Sequence, residues 1–169
     1  MAKPKSALDI LVKELKEIHS AERQMSRLVP KLLKRIDSES LRKRLETRRD
    51  QGAMIIEGLD EIFEEMEVTK ARPKNVAAEG LIEDVNQHLE EIDDPRLLDP
   101  VLLASIQKIE HYCVAAWGTA ASLGRLLNEN KVVQLMERAL RDGKQYDEEL
   151  TQLAEKEINP RMLEEAEAA

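Results

Sequence analysis

The chain has 169 residues, with 34 acidic against 26 basic side chains for a formal charge of −8, which is one domain's worth of chain. With 42% hydrophobic and 36% charged residues but only six glycines and six prolines, it is too apolar for disorder and too poor in breakers for an all-β fold. An acidic surface repels phosphate, and Phe63, Tyr112, Trp117 and Tyr146 are too few for a stacking platform, so nucleic acid is excluded as a partner.

The first helix is expected over residues 6–36. Ser6 and Asp9 read as a capping pair, and Leu8, Leu11, Leu15, Ile18, Met25, Val29, Leu32 and Ile36 recur on one stripe that Pro30 should kink. The second helix begins after Asp37 and carries Leu41, Leu45, Ile55, Leu59, Ile62 and Met66. Residues 68–74, with Pro73, end it. A short third helix follows over 76–92. Asp93, Asp94 and Pro95 break the chain, and Asp99 with Pro100 is the expected restart, because Asp caps free amides and proline suits the first helical position. The fourth helix then runs to Leu127. After the turn at Asn128, Glu129 and Asn130, the fifth carries Val132, Met136, Ala139, Tyr146, Leu150 and Leu153, until Asn159 and Pro160 stop it.

Short loops between long helices give antiparallel neighbours. The reading is therefore all-α: an antiparallel four-helix bundle, with the short helix as a crossover between the second and third bundle helices. Residues 1–158 form a single domain, and 159–169 are a C-terminal tail. The N-terminus lacks the apolar core of an export signal, and no apolar run reaches the ~20 residues of a membrane span. The lone Cys113 excludes an internal disulfide and points to the cytoplasm.

Each long helix has an interruption in its apolar stripe near the middle. Glu22 falls on the stripe of the first helix, and Arg48 and Gly52 on that of the second, with Gln51 beside them. Cys113 sits on the fourth with Glu110 one turn earlier, and Gly143 on the fifth, flanked by Asp142 and Asp147. About the turn near Asp37, Glu22 should stand level with residues 51 and 52. Together these residues form one polar layer at mid-height. An unpartnered buried carboxylate is costly, so the layer needs a chemical reason. It could hold two metal ions between inward carboxylates and histidines, or Arg48 could neutralise Glu22 and Glu110 directly. No histidine has a glutamate three residues before it: Lys16 precedes His19, Val85 precedes His88 and Lys108 precedes His111. A guanidinium neither ligates nor loses its proton, so the ion pair is favoured. His19 is expected at the rim, and Cys113 as a small core side chain. Gly143 hints at close packing, with room for Arg48 or an aromatic ring.

These residues resemble the ferritin-like bacterial stress protein family typified by YciF and YciE. The likeness covers residues 8–154. It rests on Glu17-Ile-His-Ser-Ala-Glu22-Arg-Gln24, Leu28-Val-Pro30-Lys, Ala77-Ala-Glu79-Gly80-Leu-Ile82, and Ile109-Glu110-His111-Tyr112 followed by Ala116-Trp-Gly118. The resemblance implies a ferritin-like bundle, a homodimer, and inward acidic and His residues able to hold two metals. Glu22, Glu110 and Asp147 match the family's metal-ligand positions. Where the family has His and Glu on the second helix, this chain has Arg48 and Gln51. Its second helix-four glutamate is Cys113 here, and its last paired glutamates are Asp142 and Gly143. The expectation is a vestigial layer with no cofactor and a structural or interaction role in stress physiology. The alternative is a di-iron or di-manganese carboxylate protein with oxidase, peroxide-scavenging or iron-handling activity.

Overall fold

The computed structural model describes residues 3–69 and 73–163. Residues 70–72 of the expected second linker, and 164–169 of the expected tail, lie outside the described residues. Five α-helices follow one another: α1 (Ala7–Leu33), α2 (Glu39–Glu65), α3 (Val76–Glu91), α4 (Pro95–Leu127) and α5 (Asn130–Leu153). The fold is a ferritin-like four-helix bundle. Helices α1, α2, α5 and α4 are neighbours around one core, and α3 packs outside it against α4 and α1.

The caps follow from local sequence. Ser6 Oγ accepts the Asp9 amide at 3.1 Å, while Asp9 accepts the Ser6 amide at 2.9 Å, a reciprocal capping box. Helix α1 continues through Pro30 for three more residues. Pro30 and Ser26 are both exposed, so the carbonyl that proline leaves unbonded faces water. Asn128 ends α4 in the left-handed conformation, φ 60°, which asparagine tolerates.

The start of α4 differs from the expectation. Asp94 is the cap, accepting the Arg96 amide at 2.9 Å, and Pro95 is the first helical residue. Asp99 lies inside α4, 1% exposed. Its carboxylate accepts the amides of Asp37 at 3.1 Å and Ser38 at 2.7 Å, so it holds the turn that leads into α2 rather than capping its own helix. After Leu153 the chain continues in a wider and then a tighter turn, the second of them within the expected tail. A π-turn, Ala154–Ile158, leads into a 3-10 turn, Asn159–Leu163, where Arg161 donates to Asp37 at 2.7 Å and stands 3.5 Å from Asp99.

The crossover helix is fastened at both ends by polar contacts. Asn75 Oδ1 accepts the Ala78 amide at 3.0 Å, and its Nδ2 donates to the Glu17 carbonyl at 3.0 Å and the Tyr112 hydroxyl at 2.6 Å. At the other end the Arg35 guanidinium donates to the carbonyls of Leu89 at 2.7 Å and Ile92 at 2.9 Å. The level of α3 against α1 and α4 is thereby fixed. Among the described residues no helix is long and apolar enough to cross a membrane.

Candidate functional site

Leu15, Ile18, Met25 and Val29 on α1, with Leu45, Ile55 and Leu59 on α2, are buried. Their spacing turns the positions between them inward as well. Glu22 and Arg48 therefore enter the core, 1% and 2% exposed, as does Glu110 from α4 at 1%. The three side chains meet. Arg48 Nη1 and Nη2 each donate to a separate oxygen of Glu22 at 3.0 Å, a bidentate fork, and Nε donates to Glu110 Oε2 at 2.6 Å. Nη2 also lies 3.8 Å from Cys113 Sγ. The guanidinium carbon stands 5.3 Å from the centre of the Trp117 ring, within cation–π range.

Two glycines make room for this arrangement. A Cβ at Gly52 would fall 3.0 Å from Glu22 Oε2 and 3.1 Å from Arg48 Nη1. Glu22 is therefore level with residue 52. A Cβ at Gly143 would fall 2.4 Å from Trp117 Cζ3 and 2.7 Å from Glu110 Oε1, so the absent side chain admits the indole edge and the carboxyl together.

With both carboxyls ionised the trio would carry one net negative charge in a dry core. Burial pushes Glu110 above the usual carboxylate range. Arg48 opposes that shift, while Glu22 and Asp147 add to it. Burial acts against the charge on Arg48, but Glu22 and Glu110 outweigh it and hold the guanidinium proton firmly. Burial, then the charge of Glu22, raises the Cys113 thiol well above its ordinary value against the pull of Arg48. A buried neutral thiol is a poor nucleophile and a poor ligand. Tyr146 is likewise raised, chiefly by burial and then by Glu110.

The remaining candidates stand outside the trio. Asp147 is half-buried, accepts the Gln107 amide at 3.1 Å and faces His111 Nε2 at 3.3 Å. Asp142 faces Arg138 at 3.7 Å, and with Gln51 it lines a cleft between α2 and α5. His19 corrects the expectation of a rim position. It is 5% exposed, edge-on to Phe63 with ring centres 5.8 Å apart, and 3.3 Å from Asp60. One position off the stripe still lies within the apolar arc of a helix this well covered. The contact between Trp117 and Arg48 was not legible, because Trp117 falls on an ordinary core position of α4. The only signal was the glycine at 143.

This donor set does not fit two resident cations. A permanently charged guanidinium lies between the two convergent carboxylates and takes up three of their four oxygens. Among the described residues, no three His, Cys, Asp or Glu side chains are gathered so as to hold a metal ion.

The chain matches the domain of unknown function DUF892 over residues 6–163. Protein YciF of Escherichia coli K12 is 33% identical over 156 residues, which is 92% of this chain and 94% of YciF. The crystal structure of that E. coli stress protein superposes with a TM-score of 0.86, covering 92% of this chain and 99% of the other. YcfI from Rhodopseudomonas palustris, described as a candidate structural protein, is 26% identical. It superposes with a TM-score of 0.82 over 87% of this chain and 94% of its own.

Proposed function

Because the chain belongs to the DUF892 family of YciF-like stress proteins, we propose that it is a non-catalytic structural protein of stress physiology whose two-metal layer has become an Arg–carboxylate network. One observation carries the reading: the Arg48 guanidinium lies between Glu22 and Glu110, with both its Nη atoms on one carboxylate and its Nε on the other. A fixed cation there does for the carboxylates what a metal would do, which is to offset their charge, but it offers no open coordination position and no redox couple. The bundle then needs no metal to be stable, and Glu22, Glu110 and Asp147 are vestigial ligand positions. The description of YcfI as a candidate structural protein accords with this role.

We further infer a homodimer acting in the cytoplasm, the latter in keeping with a single buried thiol and no disulfide partner. The protein, purified without a His tag, is incubated anaerobically with ferrous iron or manganese, desalted and analysed for metal. The expected result is no retained metal and a melting temperature unmoved by chelator. Retention of about two equivalents, as a dinuclear carboxylate site takes, would overturn the proposal and bring oxidase and peroxide assays forward. Light scattering reports the oligomeric state, and a monomer at all concentrations would remove the dimer.

A further inference from the structure

Helix α3 is attached differently from the other four. Each bundle helix buries six or more residues, whereas α3 buries two, Ala78 and Val85. Leu81, Ile82 and Leu89 are partly buried against the core. Little apolar burial therefore holds this helix down, which is the mark of an element that opens before the rest of a fold. Its remaining attachments are polar and concentrated at its two ends. Asn75 is bonded to the Glu17 carbonyl and the Tyr112 hydroxyl at the start, and Arg35 to the Leu89 and Ile92 carbonyls at the finish. Between them Lys108 meets Asp84 at 3.3 Å in an exposed pair, which contributes little.

What lies beneath α3 is apolar on one side and poorly satisfied on the other. Gln24 donates to the Asn75 carbonyl at 3.1 Å, so Gln24 and Arg35 mark the flank of α1 that faces α3. Ala21 and Leu28 stand three and four residues from Gln24 on the same flank. Both are 2% exposed, although neither belongs to the stripe that faces the bundle core, so α3 supplies their cover. On α4, Ser105 stands in one row with Lys108 and Tyr112. It is buried, and its hydroxyl meets no partner. A buried hydroxyl without a partner carries a cost that water removes once α3 is lifted. Ile92 and Asp93 after the helix, and Asn75 before it, are outside any helix, so α3 can leave without unwinding its neighbours.

We propose that α3 is a lid, which opens as one unit while the four bundle helices stay packed and uncovers the apolar flank of α1 at Ala21 and Leu28. The protein thereby presents apolar surface under conditions that fall short of unfolding it. The Glu22, Arg48 and Glu110 trio takes no part in the motion.

Amide hydrogen exchange of the intact protein is followed in ¹H–¹⁵N spectra at urea concentrations below the unfolding transition. The expected result is that the amides of residues 80–91, bonded within α3, open together with one shallow urea dependence. They should be protected at least tenfold less than the slowest amides of α1 and α4. Asn75→Ala removes the anchor at the first end of the lid. It should speed exchange at least threefold at Leu89 and Glu90 as well as beside the cap, because the unit opens whole, and should leave α5 unchanged. In Ala21→Cys, carried with Cys113→Ala, iodoacetamide should modify the introduced thiol with the same urea dependence as α3 exchange. Exchange of the α3 amides only with the global unfolding of α1 and α4, acceleration by N75A confined to the first turn of α3, or alkylation that tracks global unfolding would each overturn the proposal. Exchange in the parent protein needs no variant, so it decides the matter even if neither variant folds.

Discussion

Replacing Arg48 with methionine keeps most of the side-chain volume and removes the charge. Three hydrogen bonds of 2.6 to 3.0 Å disappear, leaving Glu22 and Glu110, each 1% exposed, without a counter-ion. Removing one partner of a buried ion pair costs about 3–5 kcal/mol. In a domain of this size 1 kcal/mol moves the melting temperature by ~2–4 °C, so a fall of roughly 6–20 °C is expected. The loss also depends on pH. Arg48 opposes the upward shift of Glu110, so without the guanidinium that carboxyl is raised further in the folded state. The folded state then binds more protons, so the variant is least impaired at low pH and loses stability as pH rises from the unfolded value of Glu110 through its folded one. The triple variant E22L/R48M/E110L, which removes every charge, should return to within about 1 kcal/mol of the parent or exceed it. Urea denaturation followed by circular dichroism across a pH series measures all three. An R48M loss below about 1 kcal/mol at neutral pH, the range of exposed ion pairs, would refute the reasoning, as would a triple variant no more stable than the single one.

Gly143→Ala should destabilise by about 1–3 kcal/mol through overpacking against Trp117 and Glu110, despite alanine's better helix propensity. Gly80→Ala, where nothing lies within 4 Å of the added carbon, should stabilise by about 0.5–1 kcal/mol in the same denaturation assay. Glu110 is raised in the folded state, so the stability it contributes is present at low pH and is lost as pH rises from its unfolded value through its folded one. Glu110→Gln should abolish that part of the pH dependence of the urea midpoint. Cys113, buried and held protonated, should react with iodoacetamide only as fast as the protein opens, with the rate rising steeply across the urea transition.

The secondary structure was legible because its signals are local. Ser6 with Asp9, the apolar stripes and the sparse prolines set five helices, and their boundaries agree within a few residues except at the start of α4 and at the end of α5, which passes into a π-turn after Leu153. At the start of α4, Asp94 and Asp99 offer the same local chemistry. Only the neighbour decides between them, since Asp99 is needed by the free amides of Asp37 and Ser38 in the turn that leads into α2. The turn at Asn159–Leu163 was illegible for the same reason: nothing local to Arg161 shows that Asp37 stands beside it.

The polar layer shows the same division. Periodicity by itself placed Glu22, Arg48, Cys113 and Gly143 at one height, and the charges of Glu22, Arg48 and Glu110 suggested their pairing. Which oxygens the guanidinium takes, that Trp117 covers it, and that Asp147 and Asp142 turn outward to His111 and Arg138 depend on helix rotations of a fraction of a turn. The repeat of hydrophobic residues fixes which arc of a helix faces inward, because burial rewards any apolar side chain in that arc. The partner of a given polar atom is decided by distances of an ångström or less, and those are set only when all four helices are packed.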